Sequence, residues 1–150
     1  VVPWLRWLPG WPLLPPEAAD IHRSMHQAIQ SRLVRSCHDL CEGGLAVAAA
    51  EMSFSGGLGA VIRLENVPGE ASEDSELLFS ESNCRYLVEV APEELDAFLA
   101  CFDGLPVAQV GETSQADVLE VLGRDGAVVL SEPLAELKSA WKNPLIFDAV

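Results

Sequence analysis

The sequence predicts an α/β (α+β) domain, with a mixed β-sheet and helices packed on one face of it. Three observations carry that expectation. Segments with apolar residues at three- and four-residue steps alternate with short apolar or alternating runs. The breaks between them hold Gly, Pro, Asp and Ser. The length of 150 residues, with 49% hydrophobic and 21% charged residues, suits one domain that buries a core of its own.

The elements follow in order. Pro16 and Glu17 open a helix, with proline where no amide hydrogen is needed and acid at the positive helix end. Ile21, Met25, Ala28 and Ile29 form its apolar stripe through about residue 32. Residues 33–37 read as a strand that ends at His38-Asp39. Glu42-Gly43-Gly44 starts a second helix with Leu45, Ala48, Ala49 and Met52 on its buried face, and Ser55-Gly56-Gly57 stops it. Residues 60–64 form a strand, with Val61 and Arg63 on one side and Ile62 on the other. An acidic loop covers 65–74, and a short helix passes through Leu77-Leu78-Phe79. Residues 86–90 make a strand, and Pro92-Glu93-Glu94 begins a helix that turns Leu95, Phe98 and Leu99 inward. Strands are expected at 107–110, 118–122 and 128–130, the last two joined through Gly123-Arg124-Asp125-Gly126. A helix over 133–141 closes the domain.

The formal net charge of -14, from 23 acidic and 9 basic residues, repels a phosphate polymer, so nucleic acid is not an expected partner. The start, VVPWLRWLPGWPLLPP, is apolar but broken by proline at positions 3, 9, 12, 15 and 16. A continuous membrane-spanning helix is excluded there. With no basic leader and no cleavage site, residues 1–15 read as an extended connector and 16–150 as the domain, in a cytoplasmic protein without a membrane partner. Cys37, Cys41, Cys84 and Cys101 show no CxxC pair and are expected as reduced, small buried side chains.

The most informative stretch is Val34-Arg35-Ser36-Cys37-His38-Asp39-Leu40-Cys41-Glu42-Gly43-Gly44-Leu45. A strand end, a tight turn and paired glycines lead into a helix N-terminus, where unpaired amides suit an anion such as a phosphate. Asp39 either binds a ribose hydroxyl or amide, or accepts bonds from the turn as the helix cap. The glycines equally serve close packing of helix on sheet. Cys41 at a helix N-terminus has the setting of a nucleophile, with His38 the one base near it in sequence. Cys37, His38, Cys41 and Asp39 do not converge as a metal set, because a strand turns Cys37 and Asp39 to one face and His38 to the other. His22 and His26, one helical turn apart, read as a polar face.

A second cluster, Leu78-Phe79-Ser80-Glu81-Ser82-Asn83-Cys84-Arg85-Tyr86, is a loop rich in donors and acceptors. Arg85 is one of few cations, and either pairs with Glu81 or addresses a phosphate.

From His38-Asp39-Leu40-Cys41-Glu42-Gly43-Gly44-Leu45 through Ala46-Val47-Ala48 and Ala50-Glu51-Met52, the chain resembles the C-terminal domain of the aminoimidazole ribonucleotide synthetase superfamily. Within it, Leu78-Phe79-Ser80-Glu81-Ser82 is similar to the phosphoribosylformylglycinamidine synthase II family. Leu33-Val34-Arg35-Ser36, Gly56-Gly57-Leu58-Gly59-Ala60 and Gln109-Val110-Gly111-Glu112-Thr113 agree in order, so the likeness runs from about Pro16 to Leu145. Cys41 stands where that family usually has serine, and the Trp-rich start matches none of its motifs.

The resemblance implies an ATP-dependent C–N ligase of purine biosynthesis that converts formylglycinamide ribonucleotide to the amidine. ATP and magnesium would be bound mainly by an N-terminal half absent from this chain, and ammonia would come from a glutaminase subunit or domain. It implies a substrate-binding role for Asp39, Cys41, Gly43, Gly44, Ser82 and Arg85, no catalytic residue in this part, and no turnover by the chain alone. Two other readings stand beside it. One is another superfamily member, an aminoimidazole ribonucleotide synthetase or a selenophosphate or thiamine-phosphate enzyme. The other is a non-catalytic interaction module.

Overall fold

The computed structural model describes residues 15–69 and 71–143. The expected connector falls outside them except for Pro15. The architecture is α+β, with a mixed sheet, as the sequence predicts. The single sheet expected is, however, two sheets. Of the described residues, 15–48 with 66–109 form one compact unit and 49–65 with 110–143 another.

In the first unit α1 spans Ala18–Gln30, β1 Val34–Asp39, α3 Asp74–Phe79, β3 Tyr86–Val90 and α4 Leu95–Cys101. Strands β1 and β3 form a two-stranded antiparallel ribbon, with Asp39 opposite Tyr86 and Val34 opposite Val90. Met25 and Ala28 of α1 pack with Phe98 and Phe102, and Val34, Tyr86, Val88 and Val90 of the ribbon close on that cluster. The Phe98 and Phe102 rings stand 4.9 Å apart. Burying such an aromatic ring stabilises the fold by about 1.5–3 kcal/mol.

The α1 stripe is displaced from the expected one. Ala18, Met25 and Ala28 are its buried residues, while Ile29 is 50% exposed. At 100° per residue Ile29 lies about 40° from Met25 and Ala28 about 60° from it on the other side, so the helical period does not separate them and the surface packed against α1 does. The helix ends at a Schellman turn: Leu33 N donates to Ala28 O, Arg32 N to Ile29 O, and Arg32 takes the left-handed φ of 59° usually held by glycine.

α2, Gly44–Gly56, passes from the first unit to the second between Ala48 and Ala49. Leu45, Ala48 and Ala49 are buried as expected; Ser53 is buried and Met52 only half-buried. The second unit adds β2 Gly59–Arg63, β4 Gly111–Ser114, β5 Val118–Leu122, β6 Val128–Pro133 and α5 Leu134–Lys142. Its four-stranded sheet has the order β4-β2-β5-β6, with β2 and β5 parallel and the other pairs antiparallel. Ile62, Leu64, Leu119 and Val121 are its buried centre. The two sides expected of β2 hold, since Ile62 is buried and Val61 and Arg63 are not. On α5, Trp141 reaches α2, its ring 5.8 Å from Phe54 and its Nε1 donating to Glu51 at 2.7 Å.

The strand expected at 107–110 is not one; the pairing residues are Gly111–Ser114. Val107 packs on the Met25–Phe98 cluster instead, and Val110 O accepts from Arg63 N at 2.8 Å. A side chain on Gly111 would strike the Val61 carbonyl, so the close approach of β2 sets where β4 begins.

Candidate functional site

The two polar clusters singled out in the sequence meet within the first unit. Leu40 N donates to Arg85 O at 3.0 Å, tying the turn after β1 to the turn before β3. Gly43 N donates to Glu81 Oε1 at 2.9 Å. A Cβ on Gly44 would lie 2.7 Å from Leu78 O and 2.8 Å from Ser80 O. Both glycines are left-handed, at φ 77° and 63°, so a side chain at either would be strained where the chain turns into α2.

This geometry revises what the paired glycines do. The Gly43 amide is taken by the chain's own Glu81 carboxylate, and Gly44 N donates to Cys41 O at 3.2 Å. Gly44 sits against two carbonyl oxygens, which favours the packing role over direct contact with an anion. The Gly43 amide is still an anion-binding group, and a carboxylate already occupies it. Nothing in the spacing of positions 43 and 81 announces that bond; only folding brings the α2 start and the loop after α3 together.

Arg85 does not pair with Glu81. Its Nη1 donates to Ser80 O at 3.1 Å, Ser80 Oγ at 2.6 Å and Ser82 Oγ at 3.4 Å, all neutral acceptors. Among the described residues no carboxylate forms an ion pair with it. Burial pulls the guanidinium pKa below its ordinary value, which marks a cation short of solvation. A part-buried guanidinium with only neutral partners, in a chain of net charge -14, is the strongest anion receptor described.

Asp39 ends β1 with its side chain exposed, and its Oδ1 lies 3.6 Å from His38 Nδ1. It is not the cap of α2, which begins only at Gly44. The ribbon turns Arg35, Cys37 and Asp39 to one exposed face and Val34, Ser36 and His38 to the other. Burial and the neighbouring Asp39 charge push the Cys37 thiol pKa up. The cysteines are free, but they are not the buried hydrophobes expected: Cys37 and Cys41 are exposed, and Cys84 and Cys101 half-buried. His38 Nδ1 lies 2.6 Å from Asp39 O, a bond that directs the ring to the backbone beside it. Among the described residues no three His, Cys, Asp or Glu side chains converge to hold a metal ion, and no helix is long and apolar enough to cross a membrane.

Comparison with known proteins bears on this arrangement. The family model described as AIR synthase related protein, C-terminal domain, matches residues 7–124. The phosphoribosylformylglycinamidine synthase subunit PurL of Deinococcus radiodurans is 42% identical over 119 residues, covering 78% of this chain and 15% of the relative. The structure of Thermotoga maritima PurL complexed with FGAR is similar at a TM-score of 0.75 and 26% identity, over 84% of this chain and 21% of that one. T. maritima PurL complexed with ATP gives 0.73 and 25%, over 87% and 23%. The chain thus spans less than a quarter of each of these relatives.

Proposed function

Because the chain belongs to the family of AIR synthase related protein C-terminal domains, we propose that it is the substrate-binding domain of a phosphoribosylformylglycinamidine synthase. In this reading it holds formylglycinamide ribonucleotide through Asp39, Cys41, Gly43, Gly44, Ser82 and Arg85. One observation carries the assignment: the part-buried Arg85 guanidinium has serine oxygens and a carbonyl around it and, among the described residues, no carboxylate. An arriving phosphate supplies the missing charge, with Ser82 Oγ a donor at its side. Glu81, on the Gly43 amide, sets the helix end in place until substrate competes for that amide. Asp39, exposed at the strand end, accepts from ribose hydroxyls, and Gly44 contributes by holding the α2 start against residues 78–80.

The names and bound molecules of the PurL relatives support this reading. ATP, when bound with magnesium, supplies the phosphoryl group that turns the amide oxygen into a leaving group for ammonia. In this reading ATP and magnesium belong mainly to an N-terminal half of the enzyme, and no step of this chain runs through them. A glutaminase subunit or domain supplies the ammonia, the setting is cytoplasmic, and the chain alone does not turn over.

The test uses an enzyme reconstituted with both halves. Arg85→Met is expected to weaken formylglycinamide ribonucleotide binding at least tenfold, about 1.4 kcal/mol, with ATP affinity unchanged. Arg85→Lys should recover part of it, because the charge returns without the planar fork. A folded Arg85→Met enzyme with normal substrate affinity overturns the reading. Steady ADP release by the 150-residue chain given ATP, substrate and ammonium would overturn its dependence on a second half.

A further inference from the structure

Beside the Arg85 cluster, three side chains from separate elements form a hydrogen-bonded relay that the substrate reading does not use. Cys84 Sγ lies 3.4 Å from His22 Nε2, and His22 Nδ1 lies 2.7 Å from the Tyr86 hydroxyl. The His22 and Tyr86 rings meet edge to face, with centroids 5.9 Å apart. We propose that Cys84 is a nucleophilic thiol with His22 as its base, a site of thiol–disulfide exchange with small, uncharged disulfides.

The proton balance requires all three groups. A neutral imidazole has one donor and one acceptor, so with Nδ1–H donated to the Tyr86 oxygen, Nε2 is left to take the proton of the Cys84 thiol. The imidazolium that results donates at both ends, to the thiolate and to the phenol oxygen. Burial, followed by the charges of Cys84, Cys37 and Asp39, raises the Tyr86 pKa, so the phenol stays neutral and remains an acceptor rather than a competing anion. The Cys84 thiolate attacks one sulfur of the disulfide, the S–S bond breaks, and a Cys84 mixed disulfide forms. The departing thiolate takes the proton from His22 and leaves as a thiol. The disulfide is the oxidant, and no other reagent is needed. The net charge of -14 favours a neutral disulfide over an anionic one.

The other thiols lack this setting. Cys37 has a raised pKa, Cys101 Sγ points at Ala97 O at 3.5 Å, and exposed Cys41 has no imidazole partner among the described residues. An unassisted thiol is only a few per cent thiolate at neutral pH. At Cys84 the imidazole Nε2, 3.4 Å from Sγ, is placed to take the thiol proton as the sulfur attacks.

The probe is hydroxyethyl disulfide, applied to the 150-residue chain at neutral pH, with the modified cysteine identified by mass spectrometry over time. Cys84 is expected to form its mixed disulfide first, at least about threefold faster than Cys41 despite being less exposed. His22→Gln should remove that lead, with circular dichroism unchanged, and Tyr86→Phe should reduce it by about half. Two results overturn the proposal: Cys41 or Cys37 reacting first in the unmodified chain, or an undiminished Cys84 rate in folded His22→Gln. If His22→Gln does not fold, the order of the four thiols in the unmodified chain decides by itself.

Discussion

The β1–β3 ribbon and the four-stranded sheet are built from strands of similar length, yet they spend their residues differently. In β5, Leu119 and Val121 are each 1% exposed, and the strand alternates buried and half-buried positions. In β3 no residue is fully buried, and its start carries Tyr86 in a polar network. The ribbon's loops bring Leu40 to Arg85 and Gly43 to Glu81, joining residues far apart in sequence through polar bonds. The sheet is held by apolar burial, which tolerates no bound ligand at its centre. The ribbon end leaves the Arg85 guanidinium on neutral acceptors, with no carboxylate among the described residues, which is the state an anion site needs.

Substitutions in both regions probe that contrast, beginning with the largest effect. Leu119→Ala removes a fully buried side chain from the sheet and should cost about 2–5 kcal/mol, read as a lower denaturation midpoint. The same truncation at half-buried Val88 in the ribbon should cost clearly less. Equal losses would mean that the two sheets share the burden of stability evenly.

Gly44→Ala places a Cβ 2.7 Å from Leu78 O at a left-handed φ and should cost about 1–3 kcal/mol, measured by the same denaturation. Gly43→Ala meets the Val47 side chain instead of backbone, so Val47→Ala should recover part of its loss and none of the loss at Gly44. Recovery at both positions, or at neither, would contradict the division between a docked and a turning glycine.

Glu81→Gln has the smallest effect. The Gly43 amide keeps an oxygen acceptor but loses the charge, so stability should fall by about 1 kcal/mol or less. In the reconstituted enzyme, substrate affinity should rise a few-fold, because a neutral competitor leaves the amide more easily. Unchanged stability together with weaker substrate binding would make Glu81 a direct ligand of the substrate.

Much of this was legible in the residues themselves. Residues 86–90 and 118–122 are strands over the expected spans, and the helix start at Gly44 and stop at Gly56 follow the glycines. Side-chain alternation and backbone permissiveness are local properties, so a short window suffices to read them. The failures also have local causes. Val107 and Val110 are three residues apart and looked like a strand pair, but one was drawn to the Phe98 cluster and the other to the Arg63 amide. Ile29 matched a helical step as well as Ala28 did, and only the partner surface chose between them.

By itself the sequence determined the α+β class, the order of the elements and the glycine turn that begins α2, because each depends on φ preferences and on periods of two or 3.6 residues. Only the tertiary structure decided that β1 pairs with β3 while β2 pairs with β5, and so that there are two sheets rather than one. Only it gave the Gly43 amide to Glu81, left Arg85 with serines, and set His22 between Cys84 and Tyr86. A hydrogen bond across tens of residues depends on where two distant segments end in space. The burial of Met25, Phe98 and Phe102 fixes those positions in the first unit, and no pattern within either segment encodes the distance between them.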